Sequence, residues 1–78
     1  MDRRAMIEDH LALAERHVTA GERHVAEQRA RVEALERDGR DTTESLLLLS
    51  QFQELQKLHV ADRDRLKREL ADFRPLAR

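Results

Sequence analysis

The sequence predicts an all-α protein: an antiparallel two-helix hairpin, with helices over about 2–38 and 42–73, that dimerises into a four-helix bundle. Three observations carry this prediction. Ala, Glu, Lys, Leu and Arg make up well over half of the 78 residues, with two glycines and one proline, a composition that marks long helices. One strong break, Asp38-Gly39-Arg40-Asp41, divides the chain near its middle. Soon after it comes the most apolar run, Leu46-Leu47-Leu48-Leu49-Ser50-Gln51-Phe52-Gln53-Glu54-Leu55. Four consecutive leucines, about 100° apart on a helix, cannot all face one neighbour. Some need a second partner, and another copy of the chain is the ordinary one. Leu46, Leu47, Leu48, Leu49, Phe52 and Leu55 are therefore the expected interface.

The first helix opens at Asp2, a suitable N-cap, with Glu8 and Asp9 near that end. From there to Asp38 only Gly21 is a weak helix former. Leu11, Val18, Val25 and Val32 form one row of a heptad seam, and Ala14, Gly21, Gln28 and Leu35 form the other. Spacing of three and four is the coiled-coil pattern. The motif Glu15-Arg16-His17-Val18 recurs seven residues on as Glu22-Arg23-His24-Val25.

Gly39 suits the left-handed residue that ends a helix. Residues 39–41 form the turn, and Asp41 with Glu44 reads as an Asp variant of the capping box. A connection this short forces the helices antiparallel. The second helix then runs from Thr42 to about Phe73, because Pro75 cannot continue it and biases Arg74 out of the helix. Residues 74–78 are a tail to the single domain 1–78.

The expected seam of helix two is Leu48, Phe52, Leu55, His59, Asp62, Leu66, Leu70 and Phe73. Folding about residue 40 sets Gln28 level with Phe52, Val25 with Leu55, Gly21 with His59 and Ala14 with Leu66. In that register the missing side chain of Gly21 makes room for the His59 imidazole. Burying even four leucines per chain contributes roughly 6–12 kcal/mol before entropy is subtracted.

Composition narrows the function. With no cysteine there is no disulfide framework and no thiolate site. Small chains without such staples turn to a metal or a partner, and association is the commoner remedy. The net charge of −1 argues against a general polyanion binder, and the absence of Trp and Tyr removes the stacking platforms that hold single strands. The N-terminus turns acidic at once and no apolar run is long enough to cross a bilayer. The expected compartment is the cytoplasm, with no membrane partner. The hydroxyls of Thr42, Thr43 and Ser45 cluster at a helix start, where capping explains them, and no Gly-rich turn could build a nucleophile elbow. The chain is not expected to be an enzyme, and no cofactor is implied.

Two side-chain groups remain as candidates. His17, His24, His59 and Asp62 are the residues available to a metal or a pH response. His24–Glu27 and His59–Asp62 have the i, i+3 spacing that could point a pair at one ion, although the Glu-x-x-His order of di-metal bundles is reversed here. The plainer account is that His59 and Asp62 are a hydrogen-bonded polar pair fixing register. Arg63, Arg65, Lys67 and Arg68 form the one local basic cluster. A dimer of helical hairpins can bind structured RNA along such a face, as the Rop protein does, while the plainer account is a solvated, salt-bridged surface. The expected function is a self-associating interaction or scaffold module. The alternatives are a metal- or pH-responsive bundle and a Rop-like RNA-binding dimer.

The stretches Ala14-Glu15-Arg16-His17-Val18, Gly21-Glu22-Arg23-His24-Val25, Glu36-Arg37-Asp38-Gly39-Arg40-Asp41-Thr42, Leu58-His59 and Asp62-Arg63-Asp64-Arg65-Leu66 carry a resemblance. Together they resemble a family of short bacterial helical proteins to which no activity, cofactor or substrate is attached. The likeness covers most of residues 11–70 and implies a bacterial source. Members often carry histidine where this chain has Arg40 and Asp62, a departure that weakens any argument for a shared metal site.

Overall fold

The structure, a computed structural model, describes residues 2–74. The described residues form two helices, α1 over Arg3–Arg37 and α2 over Thr43–Asp72, packed against each other as a hairpin. At 1.5 Å per residue they are about 52 and 45 Å long, and the molecule is a rod of 68 × 15 × 14 Å.

Local chemistry accounts for each boundary. The Asp2 carboxylate accepts the Ala5 N–H at 2.7 Å and so starts α1. At the other end Gly39 adopts a positive φ of 67°. Its N–H donates to the Glu36 carbonyl, and the Arg40 N–H donates to the Leu35 carbonyl at 2.9 Å. These two bonds are a Schellman closure, which satisfies carbonyls that the helix end would otherwise orphan. At the start of α2 the capping box is half formed. Asp41 accepts both the backbone N–H of Thr43 at 3.0 Å and its hydroxyl at 2.7 Å. Among the described residues no bond runs from Glu44 back to Asp41, and Thr42 stands at the cap without a side-chain bond. The helix ends at Phe73, which is extended, and Arg74 lays its guanidinium on the carbonyls of Ala71 and Phe73. Pro75, expected to terminate α2, lies outside the described residues.

The α1 seam follows the heptad rows. Ile7, Ala14, Val18, Gln28 and Val32 are buried, and Leu11, Gly21, Val25 and Leu35 are half-buried. The α2 seam differs from expectation by about one residue of rotation through its first half. Ser45, Leu49, Phe52, Gln56, Val60 and Arg63 turn inward, while Leu48, Leu55 and Asp62 are exposed. Leu66, Leu70 and Phe73 lie inward as expected.

Register shifts with that rotation. Gln28 donates to the carbonyl of Ser45 at 2.9 Å instead of lying level with Phe52. Gln56, not His59, fills the space above Gly21, and His59 stands against His17. Ala14 and Leu66 still border one recess near the open end, as the simple fold-back predicts. The physical reason for the shift is that α2 carries two apolar rows side by side. Periodicity establishes that both exist but not which one meets α1. The glycine notch selects the row bearing Gln56, since an amide fits there and donates to the nearby Val18 carbonyl at 2.9 Å.

Candidate functional site

The most distinctive surface is one flank of the hairpin, where the edges of both helices meet. From α1 it takes His17, Ala20, Gly21 and His24, and from α2 it takes Phe52, Leu55, Gln56 and His59. Together they line a recess of about 190 Å³. The rings of His17 and His59 lie with centres 5.3 Å apart, inclined at 47°. One heptad toward the turn, His24 lies 6.0 Å from Phe52 in the same tilted arrangement. The heptad spacing of His10, His17 and His24 produces this edge, because steps of seven return to nearly the same side of a helix. Toward the open end the flank continues into a smaller recess bordered by His10, Leu13, His17, Asp62 and Arg65.

The expected register pair is not formed. Asp62 binds Arg65 at 2.6 Å, and His59 turns to His17. Arg65 also donates to Glu69 at 2.8 Å, and these two carboxylates, Asp62 foremost, hold its guanidinium even more firmly protonated than usual. The polar residues that cross the seam are Gln28 and Gln56. Each donates its amide to a carbonyl of the opposite helix, at Ser45 and Val18. The Oε1 of Gln56 is buried with no conventional donor, and it sits where a Cβ on Gly21 would project. The Gly21 Cα–H therefore points at it, a weak hydrogen bond that partly satisfies the oxygen. Gln28 stands in the heptad row, so half of this arrangement was visible in sequence. Gln56 stands outside the expected seam and was missed.

The metal candidates are only partly assembled. His17 and His59 come together, His24 is drawn to Phe52, and Asp62 is taken by Arg65. Among the described residues no three His, Asp or Glu side chains converge on a point. The basic cluster is largely neutralised from within. Arg63 pairs with Asp64 at 3.0 Å and Arg65 bridges Asp62 and Glu69, which leaves Lys67 and Arg68 outside the ion pairs among the described residues. A larger recess lies at the open end, bordered by Arg3, Arg65, Arg68, Glu69, Asp72, Phe73 and Arg74. Its basic and acidic groups are interleaved.

Comparison with family models, with curated proteins and with solved structures finds no match to this chain. Among the described residues no helix is long and apolar enough to cross a membrane.

The expected interface residues divide. Leu49 and Phe52 are half-buried in the seam, while Leu46, Leu47, Leu48 and Leu55 are exposed, joined by Leu58. Leu47 and Leu58, with Leu48 and Leu55, fall on one outward arc of α2 spanning about 100°. On α1, Leu13 and Met6 are exposed on the histidine-bearing edge. The apolar arc and the imidazoles therefore border each other.

Proposed function

We propose that this chain is a small, non-enzymatic, self-associating helical protein that acts as an interaction or scaffold module, and that a second copy of itself covers the leucine arc. The observation that carries this reading is the exposure of that arc: Leu47 is 61% and Leu58 is 67% accessible, with Leu48 and Leu55 beside them. Contiguous apolar surface of this kind marks an interface.

Surface area supports the same occupant. A compact monomer of this mass exposes about 4,900 Å², whereas this chain exposes 6275 Å². A standard interface removes about 800 Å² from each partner, so one paired copy would take up much of the difference. The core of a lone hairpin is thin. Ile7, Ala14, Val18, Val32 and Leu66 are its buried apolar side chains, and among the described residues no large side chain is completely enclosed. Two hairpins packed through their α2 arcs about a two-fold axis make a four-helix bundle with a continuous core, and an isologous contact satisfies both copies at once. The near-neutral charge opposes no such pairing.

Sedimentation equilibrium of the full chain, from low to high micromolar concentration, tests the proposal. The expected result is a reversible dimer whose helicity falls as it dissociates. A monomer that stays fully helical across that range overturns it.

A further inference from the structure

We propose that His17 and His59 form one half of a site for a divalent transition-metal ion of the zinc type, completed by the same two residues of a second copy of this chain. The proposal rests on the self-association reading and adds a ligand to it.

The geometry begins with the two rings. Two imidazoles bound to one tetrahedral zinc, each through a bond of about 2.0–2.1 Å, hold their ring centres about 5 Å apart. The centres of His17 and His59 are 5.3 Å apart, and their planes are tilted and not stacked, at 47°. The pair is contributed by two different helices, so the tertiary fold and not helical spacing sets this distance. Neither residue is diverted to a charged partner: among the described residues no salt bridge or side-chain hydrogen bond engages either ring, in contrast to Asp62 with Arg65. Imidazole in its neutral form is the commonest biological ligand for such ions.

The site is incomplete in one chain. A structural zinc site takes four protein ligands, and among the described residues no third His, Asp or Glu converges on this pair. The nearest carboxylate along α2, Asp62, is already bound to Arg65 at 2.6 Å. The missing ligands must come from outside the hairpin. His17 is exposed, and the recess it lines with His59 is bordered by exposed Leu55. A second copy packed over this flank, with the two-fold axis passing beside the His17–His59 pair, brings its own equivalent pair to the same point, since residues next to the axis of an isologous contact meet their own copies. Four imidazoles then surround one ion, and each dimer holds one metal.

The test uses the full chain stripped with chelator, then titrated with Zn²⁺ or Co²⁺ at neutral pH. The expected result is half an equivalent of metal bound per chain and a dimer dissociation constant lowered at least about tenfold, because an ion that only the dimer can hold stabilises it by mass action. Co²⁺ should give the intense visible absorption of a tetrahedral centre. His17→Gln and His59→Gln should each abolish the response of association to metal, whatever their metal-free association, and His24→Gln should retain that response. A metal-free dimer indifferent to zinc overturns the site and leaves self-association standing. One equivalent of metal per chain with no change in association overturns the shared site. A monomer with and without zinc overturns the self-association reading and this site with it. Should either variant fail to fold, the stoichiometry and the cobalt spectrum of the wild-type chain decide the matter alone.

Discussion

Gln56 occupies the space that a side chain on Gly21 would fill, and from there donates its amide to the carbonyl of Val18 at 2.9 Å. Glycine inside a helix costs about 1 kcal/mol relative to alanine. Here that cost is coupled to a cross-helix hydrogen bond. At the turn-proximal end Gln28 makes the reciprocal bond, from α1 to the carbonyl of Ser45. The two glutamines pin the register of the hairpin at two levels.

A double-mutant cycle reads the coupling. Gly21→Ala in the native background should gain less than the propensity term or lose stability, because the new methyl displaces the Gln56 amide. In a Gln56→Ala background the same change should recover the full gain of about 1 kcal/mol. Urea midpoints at fixed protein concentration give all four values. Equal effects in both backgrounds would show that the notch and the amide are independent.

Gln28→Ala should destabilise the chain by about 1–3 kcal/mol, through the lost hydrogen bond and lost packing in a position that is 7% accessible. The nearby Gln53→Ala, on α2, should cost less because no side-chain bond of Gln53 crosses the described seam. Thermal melts of the two variants at one concentration make the comparison. A larger loss at Gln53 contradicts the role given to Gln28.

The two apolar rows of α2 should answer to different measurements. Leu66, buried in the hairpin, should cost about 2–5 kcal/mol when changed to Ala. Leu58→Asp removes a side chain with little contact inside the hairpin and should act on association, weakening the dimer by at least about tenfold. Sedimentation of Leu58→Asp that matches wild type at every concentration argues against the arc as the interface.

Gly39 meets nothing within 4 Å of where a Cβ would project, so the cost of replacing it is conformational. Gly39→Ala must hold a φ near +67° and should lose about 1–2 kcal/mol. Gly39→Asn should lose less, since asparagine tolerates the left-handed region. Chemical denaturation distinguishes them, and equal losses would indicate a steric cause instead.

Asp41 carries a pH dependence with a clear sign on the acid side. The Thr43 backbone N–H, and then its hydroxyl, hold the Asp41 carboxyl below its ordinary value. A depressed carboxyl contributes stability above its unfolded pKa of about 3.9 and loses that contribution as pH falls through the lower folded value. Asp41→Asn keeps an acceptor but does not titrate. The melting temperature of wild type should exceed that of the variant near neutrality, and the gap should close in strong acid. A gap that persists at the lowest pH would place the effect elsewhere.

Much of the fold was legible along the chain because its signals are local. Asp2, Gly39 and Asp41 act on backbone groups within a few residues, so their chemistry reads directly from order. The heptad rows of α1 were legible for the same reason, since one row there is apolar and the opposite faces are charged. The candidate site was legible only in part. The histidine row on α1 is a matter of spacing, but the meeting of His17 with His59 depends on which face of α2 turns inward. The expected His59–Asp62 pair failed because Arg65, three residues beyond Asp62, competes for the carboxylate with a full charge.

By itself the sequence determined two long helices, the place of the turn and an excess of leucine around α2, because propensity, capping and periodicity are properties of neighbouring residues. Only the tertiary structure decided the rotation of α2, the seating of Gln56 over Gly21 and the pairing of His17 with His59. Two adjacent apolar rows offer nearly equal burial, and choosing between them takes the shape of the opposite helix: one absent side chain at position 21 and the Val18 carbonyl within reach of the Gln56 amide.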